Sequence, residues 1–227
     1  MNIALIGYGK MGHAIEDLAP ERGHTVVCTV DNEEEWSAKA DRLRTADAAI
    51  EFTTPTTAVE NILRCFGMGL PIVCGTTGWT DRQAEVVARC LEENRSLFTA
   101  SNFSLGMNIM FELNERLAAL MRGRGEYAVD IAETHHVHKL DSPSGTALTL
   151  ANQIAACGGR PLEGIPIESV RQGEVPGIHT VAYRSAVDTL TLTHEAHSRR
   201  GLALGALLAA EYLQGRTGHF TMKDLLA

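Results

Sequence analysis

The chain has 227 residues, 44% hydrophobic and 21% charged, which fits a soluble globular protein of one large or two small domains and excludes disorder and low complexity. A formal net charge of −8 argues against broad nucleic-acid or anionic-membrane binding, so an anionic ligand must be attracted locally. Five scattered cysteines without a Cys-x-x-Cys pair read as reduced core thiols, and there is neither a leader pattern nor an apolar run approaching the roughly 20 residues of a membrane span; the expected location is the cytoplasm.

Residues 2–6 form a short apolar run of the kind a buried parallel strand needs. It leads at once into Gly7-Tyr8-Gly9-Lys10-Met11-Gly12 and a helical pattern through Ile15 and Leu18. Glycines in such a strand, turn and helix permit a tight turn, backbone approach to a pyrophosphate, and close helix packing. Residues 25–30 read as a second strand ending at Asp31, about 20 residues after Gly12, where a carboxylate accepts hydrogen bonds from a ribose diol. The plainer reading is a glycine-rich turn beside a solvated aspartate. The charged segment 32–44 predicts one short surface helix, with Glu33, Glu34 and Glu35 on a solvated face. Residues 48–52 and 71–74 are further strands, separated by a helix that opens at Thr53-Thr54-Pro55-Thr56 and runs to Met68. Gly75-Thr76-Thr77-Gly78 follows a strand directly, a place where small residues and hydroxyls line cofactor crevices. Thr80 and Gln83 predict a capping box for a helix reaching Glu93. Residues 96–100 are another strand, feeding Ser101-Asn102-Phe103-Ser104. This alternation predicts a doubly wound, Rossmann-like α/β sheet over residues 1–103.

The pattern then changes. After a connecting helix over 106–121, strand-like runs cluster at 127–134, 167–171, 178–185 and 189–195, with a turn at Val187-Asp188. They predict a mixed or antiparallel sheet, hence a second α+β domain over 104–199. The helix over 202–213 is apolar almost all round and is expected to return to the first domain, so that 200–227 complete it.

The densest chemistry lies within the second domain, in Glu133-Thr134-His135-His136-Val137-His138-Lys139-Leu140-Asp141-Ser142-Pro143-Ser144-Gly145-Thr146-Ala147. A Pro-Ser-Gly-Thr turn feeding a helix leaves backbone N–H groups at its positive end, a ready site for a carboxylate, and Lys139 adds a full charge. Histidine is the side chain whose unperturbed pKa lies near neutrality, which suits it to proton transfer. A metal site at His135, His136 and His138 is disfavoured, because adjacent side chains on an extended segment point to opposite faces and no further ligand spacing closes the set. His194-Glu195-Ala196-His197 likewise lacks zincin spacing.

This stretch resembles the substrate signature of the dihydrodipicolinate reductase family, E-x-H-H-x-x-K-x-D-x-P-S-G-T-A. The resemblance extends through Gly7–Gly12, Gly75–Gly78, Asn102–Gly106, Val175-Pro176-Gly177 and His194–Arg199, with shortening after Asp31 and after Ala156. It implies an oxidoreductase using NADH or NADPH to reduce a cyclic imine dicarboxylate. Gly7, Tyr8, Gly9, Lys10, Met11, Gly12, Asp31, Gly75, Thr76, Thr77, Ala100, Ser101, Asn102 and Phe103 would hold the cofactor. His136, Gly145 and Thr146 would bind substrate, with His135 as proton donor and Lys139 as the second catalytic group. It also implies a homotetramer assembled through the second domain. NADH is the favoured cofactor, because no arginine directly follows Asp31 to neutralise a 2′-phosphate. Alternatives are another Rossmann amino- or imino-acid dehydrogenase and a non-catalytic nucleotide-sensing module.

Overall fold

The computed structural model describes residues 1–227, which divide into two compact units, Met1–Leu105 with Arg199–Ala227, and Gly106–Ser198. In the first unit the chain runs β1 (Asn2–Ile6), α1 (Lys10–Leu18), β2 (Thr25–Val30), α2 (Glu33–Ala38), α3 (Ala40–Leu43), β3 (Ala48–Glu51), α4 (Pro55–Met68), β4 (Ile72–Cys74), α5 (Gln83–Glu92) and β5 (Ser96–Thr99). The five strands and one added later in the chain make a fully parallel six-stranded sheet. Because side chains alternate across a strand, Ile3 and Leu5 enter one core with Val73 and Phe98, while Ala4 and Ile6 enter the other with Ile62, Phe66 and Val86. Burial on both faces is why the middle residues of β1, β3 and β4 are apolar on successive positions.

Two expectations for this unit need correction. The segment 32–44 is two short helices, not one: Asn32 caps α2, and the chain breaks at Lys39, whose ammonium is drawn back onto the Thr29 carbonyl and Glu35. The capping box at Thr80 does not form. Buried Trp79 donates its indole N–H to the Thr76 carbonyl, Thr80–Arg82 make a tight single turn, and α5 begins only at Gln83 without a side-chain cap.

The second unit contains α6 (Leu105–Met121), β6 (Ala128–His135), α7 (Gly145–Gly158), β7 (Ile167–Arg171), β8 (Gly177–Arg184) and β9 (Thr189–Ala196). Its sheet has the order β7-β6-β8-β9 and is mixed, since β6 pairs parallel with β7 and antiparallel with β8. Both helices cover one face, over Val129, Ile131, Val181 and Tyr183. Buried Asn114 pins α6 to α7 by donating to the Leu150 carbonyl at 3.1 Å and to Gln153 at 3.0 Å.

The chain then re-enters the first unit as α8 (Arg200–Tyr212), β10 (Gly218–Phe220) and α9 (Met222–Leu226). A Cβ on Gly205 of α8 would stand 1.7 Å from the Phe103 carbonyl oxygen, so glycine there sets how closely the helix approaches. The three-residue edge strand β10, parallel to β5, was too short for any periodicity to announce. The architecture is thus a Rossmann-like parallel sheet with a second, mixed-sheet unit, as the alternation of patterns predicted.

Candidate active site

In the first unit the turn after β1 uses its three glycines differently. Gly7 adopts φ +90° with its α-carbon against the Phe52 carbonyl, and a Cβ on Gly12 would meet the Gly7 carbonyl oxygen at 2.6 Å. Gly9 is followed directly by the start of α1, and a Cβ there meets no atom within 4 Å, which leaves the helix N-terminus approachable by a phosphate. Asp31 is held where β2 ends by the Tyr8 N–H, 2.8 Å from Oδ1. A cleft of about 410 Å³ runs from this turn past Asp31, Asn32 and Trp36 to Thr53, and a second opening is lined by Lys10, Met11, Gly75, Thr76 and Thr77. The donor set, glycine geometry and cleft size fit a dinucleotide.

Several residues of this half were not singled out from sequence. Glu51, fully buried, accepts from the Thr53 N–H at 3.0 Å, the Thr76 hydroxyl at 3.0 Å and the Cys74 thiol at 3.0 Å, and also from the Thr53 hydroxyl. It ties the loop after β3 to the loop after β4, and neither loop advertised this locally. The acidic run is also more than a solvated face. Glu35 accepts the Asp31 N–H at 2.8 Å and pairs with Lys39, while Glu33 takes both arms of the Arg64 guanidinium at 2.8 Å. Ala100, Ser101 and Asn102 follow β5 as expected, with Asn102 accepting the Ser104 N–H. The Phe103 ring is 2% exposed and packs on Phe52 and Phe98, so its side chain is core.

In the second unit His135 is the last residue of β6, not a loop residue, and its alternation directs it under the helices with Glu133. His179 of β8 pairs in register with Glu133, and its ring meets that of His135 edge-on at 4.9 Å between centroids. All three side chains are buried. Burial pushes the Glu133 carboxyl up, but hydrogen bonds from Ser144 and Ser169 outweigh it and hold the group below the usual carboxylate range. Burial lowers His135, against the opposing pull of Glu133, and brings His179 down to about 4, so both rings are neutral at pH 7.

The loop after β6 turns at His136–Lys139, where the Lys139 N–H reaches the His136 carbonyl. Lys139, half-buried, pairs with Asp141 at 2.9 Å, and Arg171 of β7 clamps the loop through the carbonyls of Lys139 and Asp141. His136 is half-buried, whereas His138 is exposed and pairs with Glu174. Of the three histidines disfavoured as a metal set, His136 and His138 have ring centroids 6.0 Å apart on the loop, while His135 is buried beside His179. The side chains whose ligand atoms do converge, within 4.8 Å, are Glu133, His135 and His179. Ser144 caps α7 by accepting the Ala147 N–H, and Gly145 and Thr146 are its first two residues, Gly145 exposed and Thr146 half-buried. His179 and Arg171 were missed in the sequence because only strand pairing brings β7 and β8 beside β6; Ser144 stood within the signature, but its contacts with Glu133 and His179 could not be read there.

The arrangement offers an anion-accepting helix start, a lysine and a neutral imidazole in one unit, and a nucleotide cleft in the other. Family models for dihydrodipicolinate reductase match the chain at residues 1–103 (N-terminus) and 106–226 (C-terminus). A Christiangramia forsetii protein named 4-hydroxy-tetrahydrodipicolinate reductase is 48% identical over 237 residues, covering 100% of this chain and 98% of that one. A protein of the same name from Lawsonia intracellularis is 30% identical, covering 100% and 99%. Among solved structures, dipicolinate-bound dihydrodipicolinate reductase from Paenisporosarcina sp. TG-14 superposes with a TM-score of 0.82 at 23% identity, covering 97% of each chain, a likeness of fold. With both halves matched and relatives similar from end to end, the chain belongs to the dihydrodipicolinate reductase family.

Proposed function

We propose that this chain is an NAD(P)H-dependent reductase. It converts 4-hydroxy-tetrahydrodipicolinate, or the dihydrodipicolinate formed from it by loss of water, to tetrahydrodipicolinate in lysine and diaminopimelate biosynthesis. The observation that carries this reading is the 48% identity, over the whole chain, to a protein of that name. The side chains supply a consistent chemistry. Gly9 and the start of α1 receive the pyrophosphate, and Asp31 the ribose. The nicotinamide supplies the hydride when bound. The start of α7, with Gly145 and Thr146, grips one substrate carboxylate, and Lys139 and His136 serve the other. Hydride addition to a conjugated imine leaves negative charge to be protonated, and His135 is the proton donor beside that charge.

NADH is the favoured cofactor. Of the cations that follow Asp31, Lys39 is engaged by Glu35 and the Thr29 carbonyl and Arg44 by Asp41, and Arg64 of α4 is held by Glu33; exposed Arg42 of α3 has no ion pair and is the one cation of this segment left to meet a 2′-phosphate. Five free thiols, four of them buried, suit a reducing cytoplasm. No helix is long and apolar enough to cross a membrane. The working assembly is a homotetramer built through the mixed sheet.

The test is nicotinamide oxidation monitored with freshly generated 4-hydroxy-tetrahydrodipicolinate, beside a panel of amino and imino acids. Consumption with the dicarboxylate alone is expected. Turnover of another imino acid in its place would overturn the substrate, and a specificity constant for NADPH more than about tenfold above that for NADH would overturn the cofactor preference.

A further inference from the structure

Beneath the start of α7 lies a polar cluster closed to solvent, with Glu133 1%, His135 6% and His179 5% exposed. The two carboxylate oxygens of Glu133 are treated unequally. Oε1 accepts the Ser144 N–H at 3.0 Å and the Ser169 hydroxyl at 2.7 Å, and Arg171 Nη1 stands 3.7 Å away. Oε2 has no hydrogen bond, and neither has Nδ1 of His135, yet the two atoms are 3.5 Å apart. Two buried orphans facing one another are satisfied together by a single proton on Nδ1, at the cost of a few tenths of an ångström of movement.

His179 is the rival for Oε2, 3.6 Å away, but it has another partner. Its Nε2 lies 3.3 Å from the Ser144 hydroxyl, whose oxygen already accepts the Ala147 N–H and whose own proton is therefore free to go to Nε2. His179 then keeps its proton on Nδ1, and Oε2 is left to His135. At the other edge of the His135 ring, Nε2 is 3.2 Å from where a Cβ of Gly177 would stand, so glycine in the Val175-Pro176-Gly177 turn leaves that nitrogen uncovered by a side chain.

We infer that Glu133 is the positioning residue of the site: it fixes His135 in the Nδ1–H tautomer, reserves Nε2 for proton exchange, and ties the imidazole through Ser144 to the helix start that receives the carboxylate. The inference rests on His135 being the proton donor. Nε2 of the resting, neutral ring first takes a proton from solvent, forming an imidazolium beside Glu133; in the donating step that Nε2–H bond breaks and its proton forms a C–H bond on the reduced ring. The imidazolium becomes neutral imidazole and keeps Nδ1–H on Glu133. The charged and titratable groups that act on His135 are Glu133 on its own strand, Lys139 and Asp141 on the loop, Arg171 on β7 and His179 on β8.

The tautomer is readable without turnover, by ¹⁵N NMR of the full-length protein labelled at histidine, with His135→Asn to assign the signal. The wild type is expected to show His135 as Nδ1–H at neutral pH. Glu133→Gln, which keeps the shape and the Ser144 and Ser169 contacts but loses the anion, is expected to shift the ring toward Nε2–H and to lower kcat about 10–100-fold with KM little changed. Glu133→Asp is expected to restore part of both. An Nε2–H ring in the wild type, or an unchanged tautomer and kcat in Glu133→Gln, would overturn the assignment. So would stoichiometric tight binding of Zn²⁺ by the wild type that disappears in Glu133→Gln, since a cation would then be what satisfies Oε2 and Nδ1. If the expected tautomer is seen in a protein that does not reduce the dicarboxylate, the functional reading fails and the tautomer assignment survives.

Discussion

His135 and Lys139 are four residues apart, yet one ends a strand in a closed cluster and the other sits on a clamped turn beside Asp141. Their substitutions should therefore separate. His135→Ala is expected to lower kcat by about 10²–10⁴-fold, the range for losing a general acid, with little change in NADH affinity. Lys139→Ala is expected to lower kcat and raise KM together, because its charge meets ground state and transition state alike. Near-normal kcat in the first would remove His135 from the mechanism, and near-normal kinetics in the second would undo the substrate assignment. A Cβ at Gly145 meets nothing within 4 Å beyond its own turn of helix, so Gly145→Val is expected to fold and chiefly to raise KM. His179 also predicts a pH effect on stability. Its folded pKa of about 4 lies below the unfolded 6.5, so between those values the unfolded chain binds more protons and stability falls as pH falls. The loss is at most on the order of 1 kcal/mol per pH unit through that window and is recovered above pH 6.5. Urea midpoints taken at neutral pH and in mild acid should converge in His179→Gln relative to wild type; an equal acid loss in both would count against this.

At the scale of elements, the first unit depends on a helix that arrives last. α8 presents Ala203, Gly205, Ala206, Ala209 and Ala210, all buried, to the sheet and to α1. Small residues let a helix come close, and Gly205 is the tightest point, set against the Phe103 carbonyl. Gly205→Ala gains about 1 kcal/mol in helix propensity but forces that carbonyl or the helix to move, an overpacking cost of about 1–3 kcal/mol. A lowered Tm with weakened cofactor binding is expected, since Ser101 and Asn102 directly precede the displaced residue. A variant as stable as wild type would show that α8 has slack there. The Glu51 contacts make a parallel case, in which one buried carboxylate holds the Thr53 and Thr76 loops that line the cleft.

For the whole molecule, the mixed sheet is covered by helices on one face only. The residues that alternate away from α6 and α7, such as Ala132 and Thr134 on β6, Ile178 and Thr180 on β8 and Thr193 on β9, include apolar and β-branched side chains suited to pairing with another sheet. We expect four copies to associate through this face. Light scattering at micromolar concentration should report a tetramer, and Thr180→Arg, at the middle of the face, should dissociate it. A monomeric mass for the wild type would sink the idea.

Local chemistry made much of this molecule legible in sequence. Apolar runs such as residues 3–6 and 48–50 signalled strands buried on both faces, and the clustering of strand-like runs after residue 127 signalled a different sheet. Turn chemistry was legible for the same reason: Gly7–Gly12 needs a positive φ and close packing, and Ser144 caps the helix it precedes. What sequence could not supply was set by contacts between residues far apart in the chain. The Thr80 cap was lost to Trp79, the helix over 32–44 was broken by the pull on Lys39, and β10 exists because β5 offers it an edge. The partners of His135 were decided the same way. Strand register puts His179 opposite Glu133, and burial of all three then makes a single proton between Oε2 and Nδ1 worth far more than it would be in water.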